Sequence, residues 1–69
     1  MDTHTRMAIA AVVKGLRDSA AIDDEIVQAI AANLHKAADD MQSYGRESHA
    51  QLQQLAADIV AGEVSGPLR

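Results

Sequence analysis

The 69-residue sequence has no cysteine, tryptophan or phenylalanine, and it has a single tyrosine and a single proline. Without cysteine the chain can form neither a disulfide nor a thiolate metal site, and it lacks a cysteine nucleophile. The lone proline is Pro67, so glycine is the only helix breaker in residues 1–66, a stretch that is rich in alanine. Alternating apolar and polar runs are missing too, as are turn dipeptides between β-branched segments. The sequence therefore predicts an all-α protein.

Basic residues are also scarce. Six lysines and arginines stand against ten aspartates and glutamates, which gives a formal net charge of −4. This balance argues against binding to a nucleic-acid backbone, which basic clusters drive. The apolar run Met7 to Val13 is shorter than a membrane span and ends at Lys14. We expect a soluble, cytoplasmic protein with no membrane partner.

The first helix is predicted over about residues 5–18, with Thr3 or Thr5 as its cap. Its large apolar residues follow the i, i+3, i+4, i+7 spacing of an amphipathic helix and form one ridge: Ile9, Val12, Val13 and Leu16. Beside them lies a second face of small residues: Ala8, Ala11 and Gly15. Because small side chains let helices approach closely, this face predicts contact with another backbone.

The second predicted element runs from Asp23 to Ala61. An acidic first turn and the pair Ile22 and Val27 mark its start, with Asp23 as the cap and the pair as a hydrophobic staple. On a helical wheel its apolar residues share one arc of about 120°, and the stripe keeps its phase past Gly45. This phase match favours a single long helix over about 23–61, straight or bent at Gly45.

A break at Gly45 is the alternative. The first part of the stripe would then end near Tyr44, with Gly45 in a left-handed conformation. A new helix would begin at Ser48, because Ser48 and Gln51 have the spacing of a capping box. That interpretation predicts a compact three-helix bundle.

The chain has few large apolar residues for its length, and small domains without a disulfide or metal usually gain stability from another subunit. We therefore predict one helical domain over residues 1–61 that associates into a homo-oligomeric bundle, followed by a flexible tail over residues 62–69. The interface with a second copy or a partner protein is predicted to comprise Ala8, Ala11, Gly15, Ile26, Ile30, Leu34, Met41, Tyr44, Leu52, Leu55 and Ile59.

No pattern in the sequence indicates chemistry. His35 and Asp39 share a helix face, but zinc normally takes three or four protein ligands. The sequence has no nucleophile elbow and no glycine-rich phosphate loop. We predict no catalysis, metal or cofactor, and a protein-interaction module that acts as an adaptor, inhibitor or regulator. The alternative is a nucleic-acid-associated regulator that uses the locally basic first helix in an oligomer.

Overall fold

The structure is a computed structural model in which residues 1–40 and 45–68 are described. Three helices follow one another: α1 (Thr3–Asp18), α2 (Asp24–Asp40) and α3 (Arg46–Ala61). These ranges contain no strand, so the all-α prediction is confirmed for them. No helix in the described ranges is long and apolar enough to cross a membrane.

The helix starts follow local side-chain chemistry. Asp2, rather than either predicted threonine, caps α1, because its Oδ1 accepts the backbone N–H of Thr5 at 2.7 Å. This backbone hydrogen bond is the main reason that the pKa of Asp2 is lowered from 3.8. Asp23 caps α2 as predicted and accepts the N–H of Ile26 at 2.9 Å.

The predicted staple at the start of α2 is also present. Val27 is buried in the hydrophobic core, and Ile22 packs against the same cluster. The two residues of the predicted staple therefore belong to one apolar cluster.

Gly45 is not helical, so the favoured prediction of one continuous helix over about residues 23–61 is wrong. Gly45 has φ 129° and ψ 156°, a conformation that is essentially confined to glycine and is incompatible with a helix. Helix α3 begins directly afterwards at Arg46, and Ser48 lies inside it rather than at its cap. The alternative of three helices therefore describes the fold. Met41 and Tyr44, both in the predicted interface, lie outside the described residues.

Helix α3 is the centre of the fold. Both α1 and α2 pack against it, whereas the backbones of α1 and α2 do not approach each other in the described ranges. All three helices contribute to the central apolar cluster, whose buried members are Ala10, Val27, Leu55 and Ile59.

Polar contacts join the helix ends. The ring of His49 on α3 lies 2.8 Å from the carbonyl oxygen of Ala38 near the end of α2. Helix α3 ends at Ala61, and its C-cap, Gly62, has a left-handed conformation. The N–H of Glu63 donates to the carbonyl of Asp58. This turn sends the tail back along the bundle.

Candidate interaction surface

Helix α1 turns apolar side chains outward. Ile9, Val12 and Leu16 are 37%, 63% and 42% exposed, and the smaller Ala8 and Gly15 beside them are exposed as well. We call these five residues the outer face of α1. None of them is charged, although α1 carries three cationic side chains. The outer face is therefore a continuous apolar strip at the surface of the chain.

The four residues of the ridge predicted for α1 do not all face the same way. Of its four residues, Val13 packs against the core, and the other three belong to the outer face. The inward positions are taken by Arg6 and Ala10, which are 0% and 1% exposed. Residue spacing alone could not predict how α1 is rotated about its axis, because this rotation requires the burial of an arginine.

The small residues predicted to meet another backbone are all exposed: Ala8, Ala11 and Gly15. A Cβ atom added at Gly15 would have no neighbour within 4 Å in the described structure. Close approach of another helix within the same chain therefore does not explain this glycine. Contact with a second chain stays a prediction.

The predicted interface residues on α2 and α3 mostly serve the core of the single chain. Leu52, Leu55 and Ile59 are buried, and Ile30 and Leu34 pack partly buried against the core. Ile26 is the exception on α2, with 44% of its surface exposed. Among the predicted interface residues in the described ranges, those on α1 and Ile26 are thus exposed in the single chain.

A buried polar cluster lies between α1 and α3, and the sequence interpretation missed it. Arg6, Gln51 and Asp58 are at most 2% exposed. The Arg6 guanidinium donates through Nε to Gln51 and through Nη1 to Asp58 Oδ2 at 3.1 Å. Gln51 in turn donates to the hydroxyl of Thr3 at 3.0 Å. All buried side-chain nitrogen and oxygen atoms in the described residues have hydrogen-bond partners.

One sequence signal could have indicated this cluster. Arg6 precedes Ala10 and Val13 by four and seven residues, so it shares their helix face. Similarly, Gln51 and Asp58 lie on the same face as Leu55. Polar residues inside an apolar pattern are usually assigned to the surface, and only the matching donors and acceptors on the other helix show that these are buried.

The cluster also holds the segment that follows α3. We call residues 63–68 the strap. Its Ser65 hydroxyl donates to Asp58 Oδ2 at 2.7 Å, and Arg6 donates to the Ser65 carbonyl at 3.1 Å and to the carbonyl of Gly66. The strap is therefore docked on the bundle, although the flexibility predicted for residues 62–69 stays a prediction.

The other cations of α1 are engaged at the surface. Arg17 donates to the carbonyl of Val60 at the end of α3 and to the carboxylate of Asp24, each at 3.0 Å. Lys14 pairs with Asp18 at 2.7 Å. With Arg6 buried against Asp58, the three Lys and Arg side chains of α1 all have partners within the chain. The helix is basic in composition but offers no unpaired lysine or arginine.

The described residues contain no arrangement that suggests a metal or substrate site. No group of three or more His, Cys, Asp or Glu side chains is placed to hold a metal ion, and no cavity is present in this part of the chain. His35 and Asp39, which share a helix face, are both exposed. The feature that remains as a candidate site is the outer face of α1. Comparisons with protein-family models, with curated proteins and with solved structures found no match for this chain.

Proposed function

We propose that the protein is a small helical interaction module without catalytic activity, which associates with itself or with another protein through the outer face of α1. One observation carries this proposal. Helix α1 directs an arginine into the bundle and leaves Ile9, Val12 and Leu16 in solvent. A contiguous apolar strip at a protein surface commonly marks a site of protein association.

The outer face has a composition suited to helix–helix contact. Three large side chains alternate along the helix with small ones, so a partner helix can approach closely beside Ala8 and Gly15. Covering the exposed part of each large side chain contributes on the order of 1 kcal/mol. In a symmetric pair of chains six such side chains contribute about 6 kcal/mol, which is partly offset by the loss of rotational and translational freedom. Even without that offset, 6 kcal/mol corresponds to a dissociation constant of about 40 μM. We therefore expect weak, reversible self-association at millimolar concentration or above.

The nucleic-acid alternative has less support. It requires the cations of α1 to face a phosphate backbone. Arg6 is buried against Asp58, Lys14 pairs with Asp18, and Arg17 binds the end of α3. Retention on DNA at low salt, with a salt dependence that indicates several phosphate contacts, would favour this alternative.

The main test replaces Val12 with glutamate. Val12 is more than half exposed, so the variant should fold, but it places a charge in the middle of the outer face. Ala32→Glu, at an exposed position of α2, is the matched control. We expect the mass from sedimentation equilibrium and the thermal midpoint of the wild type and the control to rise with concentration. Val12→Glu should remain a monomer with a constant midpoint.

A second variant tests close approach separately from charge. Gly15→Leu adds bulk where, apart from its own helix backbone, no atom of the described residues lies within 4 Å of the new Cβ. Helicity by circular dichroism should be unchanged, while association should weaken at least tenfold. If the wild type is a monomer throughout the millimolar range and Val12→Glu captures the same proteins from a host lysate as the wild type, the outer face is ordinary surface.

A further inference from the structure

The contacts between the strap and the helices resemble those of a peptide in a receptor site. The Ser65 hydroxyl accepts from Arg6 Nη1 at 2.9 Å and donates to Asp58 Oδ2 at 2.7 Å. Arg6 also donates to two successive backbone carbonyls of the strap, those of Ser65 and Gly66. The backbone N–H of Ser65 donates to Asp58 at 3.3 Å. One buried ion pair therefore binds both the Ser65 side chain and the backbone of the strap.

The helices hold this ion pair in place from its other side. Gln51 on α3 accepts from Arg6 Nε, and Gln54 donates to Asp58 Oδ1 at 2.9 Å. These contacts fix one edge of the guanidinium and one oxygen of the carboxylate without the strap. The remaining groups, Nη1, Nη2 and Oδ2, point to the strap, so the site is largely organised by the helices.

We propose that Arg6 and Asp58 form a binding site for a peptide segment with a serine followed by a glycine. The strap occupies this site in its own chain, and the same segment of a second copy can take its place when the strap opens. The geometry selects a hydroxyl that accepts from a guanidinium and donates to a carboxylate, next to two successive backbone carbonyls. This proposal is independent of the outer face of α1.

Linkage between strap opening and binding makes the proposal quantitative. A peptide added in trans binds the open form, so its apparent dissociation constant is the intrinsic value divided by the open fraction. A change that opens the strap without altering Arg6 or Asp58 should tighten peptide binding by the factor by which it raises that fraction. Ser65→Ala is such a change, because it removes two hydrogen bonds of the strap and none from the helices.

The experiment uses the full chain and a fluorescein-labelled peptide with the strap sequence, Glu-Val-Ser-Gly-Pro-Leu, blocked at both ends. Hydrogen exchange at the amide of residue 65 measures opening, and fluorescence anisotropy measures binding. We expect Ser65→Ala to raise opening and peptide affinity by a common factor of about ten or more. Val64→Ala, at an exposed strap position, should leave both unchanged. A peptide with alanine in place of serine should bind at least tenfold more weakly.

Any of three results would overturn the proposal. If Ser65→Ala opens the strap but the peptide does not bind at millimolar concentration, the site accepts no segment in trans. If Ser65→Ala leaves exchange at residue 65 unchanged, the serine hydroxyl does not hold the strap. Equal binding of the serine and alanine peptides would show that the hydroxyl is not recognised, and this too would contradict the proposal.

Discussion

Replacing Arg6 with methionine tests how much of the fold depends on the buried ion pair. Methionine retains an apolar chain of similar length but removes the guanidinium that donates to Asp58, Gln51 and the strap. Removing one partner of a buried pair typically costs about 3–5 kcal/mol, because the remaining charge stays buried without compensation. A chain of this length has a free energy of unfolding of about 3–10 kcal/mol. We therefore expect Arg6→Met to be close to unfolded at 25 °C in urea titrations followed by circular dichroism.

A double-mutant cycle separates loss of the pair from loss of packing. Asp58→Asn removes the buried charge and keeps an oxygen and an amide that can bond Ser65 and Gln54. The double variant should recover at least about 2 kcal/mol relative to the sum of the two single changes. Lys14→Met is the control, because its ion pair with Asp18 is exposed and should be worth less than about 1 kcal/mol.

The cycle has a clear contrary outcome. If Arg6→Met lowers the free energy of unfolding no more than Lys14→Met does, the contacts of the buried guanidinium contribute no more to stability than an exposed ion pair. If the effects of Arg6→Met and Asp58→Asn simply add, the two side chains are not coupled. Either result would refute the view that this pair joins α1 to α3.

The remaining predictions concern the two glycines and the cap of α1. Gly45→Ala should lower the free energy of unfolding by about 1–3 kcal/mol, because φ 129° is strained for alanine. Gly15→Ala should raise the free energy of unfolding by up to about 1 kcal/mol, because Gly15 lies in an exposed helix interior. Urea titration of both variants measures these changes. A higher stability of Gly45→Ala would contradict the interruption of the helix at Gly45. The pKa of Asp2 is lowered on folding. The stability that the Asp2 carboxylate contributes is therefore present above its unfolded pKa of 3.8 and is lost as the pH falls through its pKa in the folded chain. Asp2→Asn keeps the cap without titrating, so the variant should lose less stability than the wild type between neutral pH and about pH 2. Equal losses in thermal midpoint would exclude this role for Asp2.

Features set by neighbouring residues could be predicted from the sequence. The cap at Asp23 and the staple pair of Ile22 and Val27 depend on residues at most five apart, and the structure contains the cap and places both staple residues in one apolar cluster. The all-α class follows from composition and the absence of strand patterns, and it is confirmed for the described ranges. Local chemistry and helix periodicity are sufficient for these features.

The break at Gly45 could not be decided from periodicity. A helical wheel registers only the angle of each residue, so a stripe that resumes in phase after a break is indistinguishable from one that continues. The decisive property is the backbone conformation of one glycine, which depends on α3 folding back onto α2. Residues such as Leu55 and Ile59 then find their apolar partners within the chain, rather than in the extended stripe that the sequence suggested.

The burial of Arg6 links the core, the strap and the outer face of α1. An arginine can be buried only where acceptors satisfy its donors, and Gln51, Asp58 and the strap provide them together. This requirement fixes the rotation of α1 about its axis. Val12 follows Arg6 by six residues, about 240° around the helix, so it must point away from the bundle when Arg6 points inward. The rotation that buries the arginine therefore also exposes Val12 in the middle of the apolar strip, and the interaction surface that we propose on α1 depends on a polar contact in the interior.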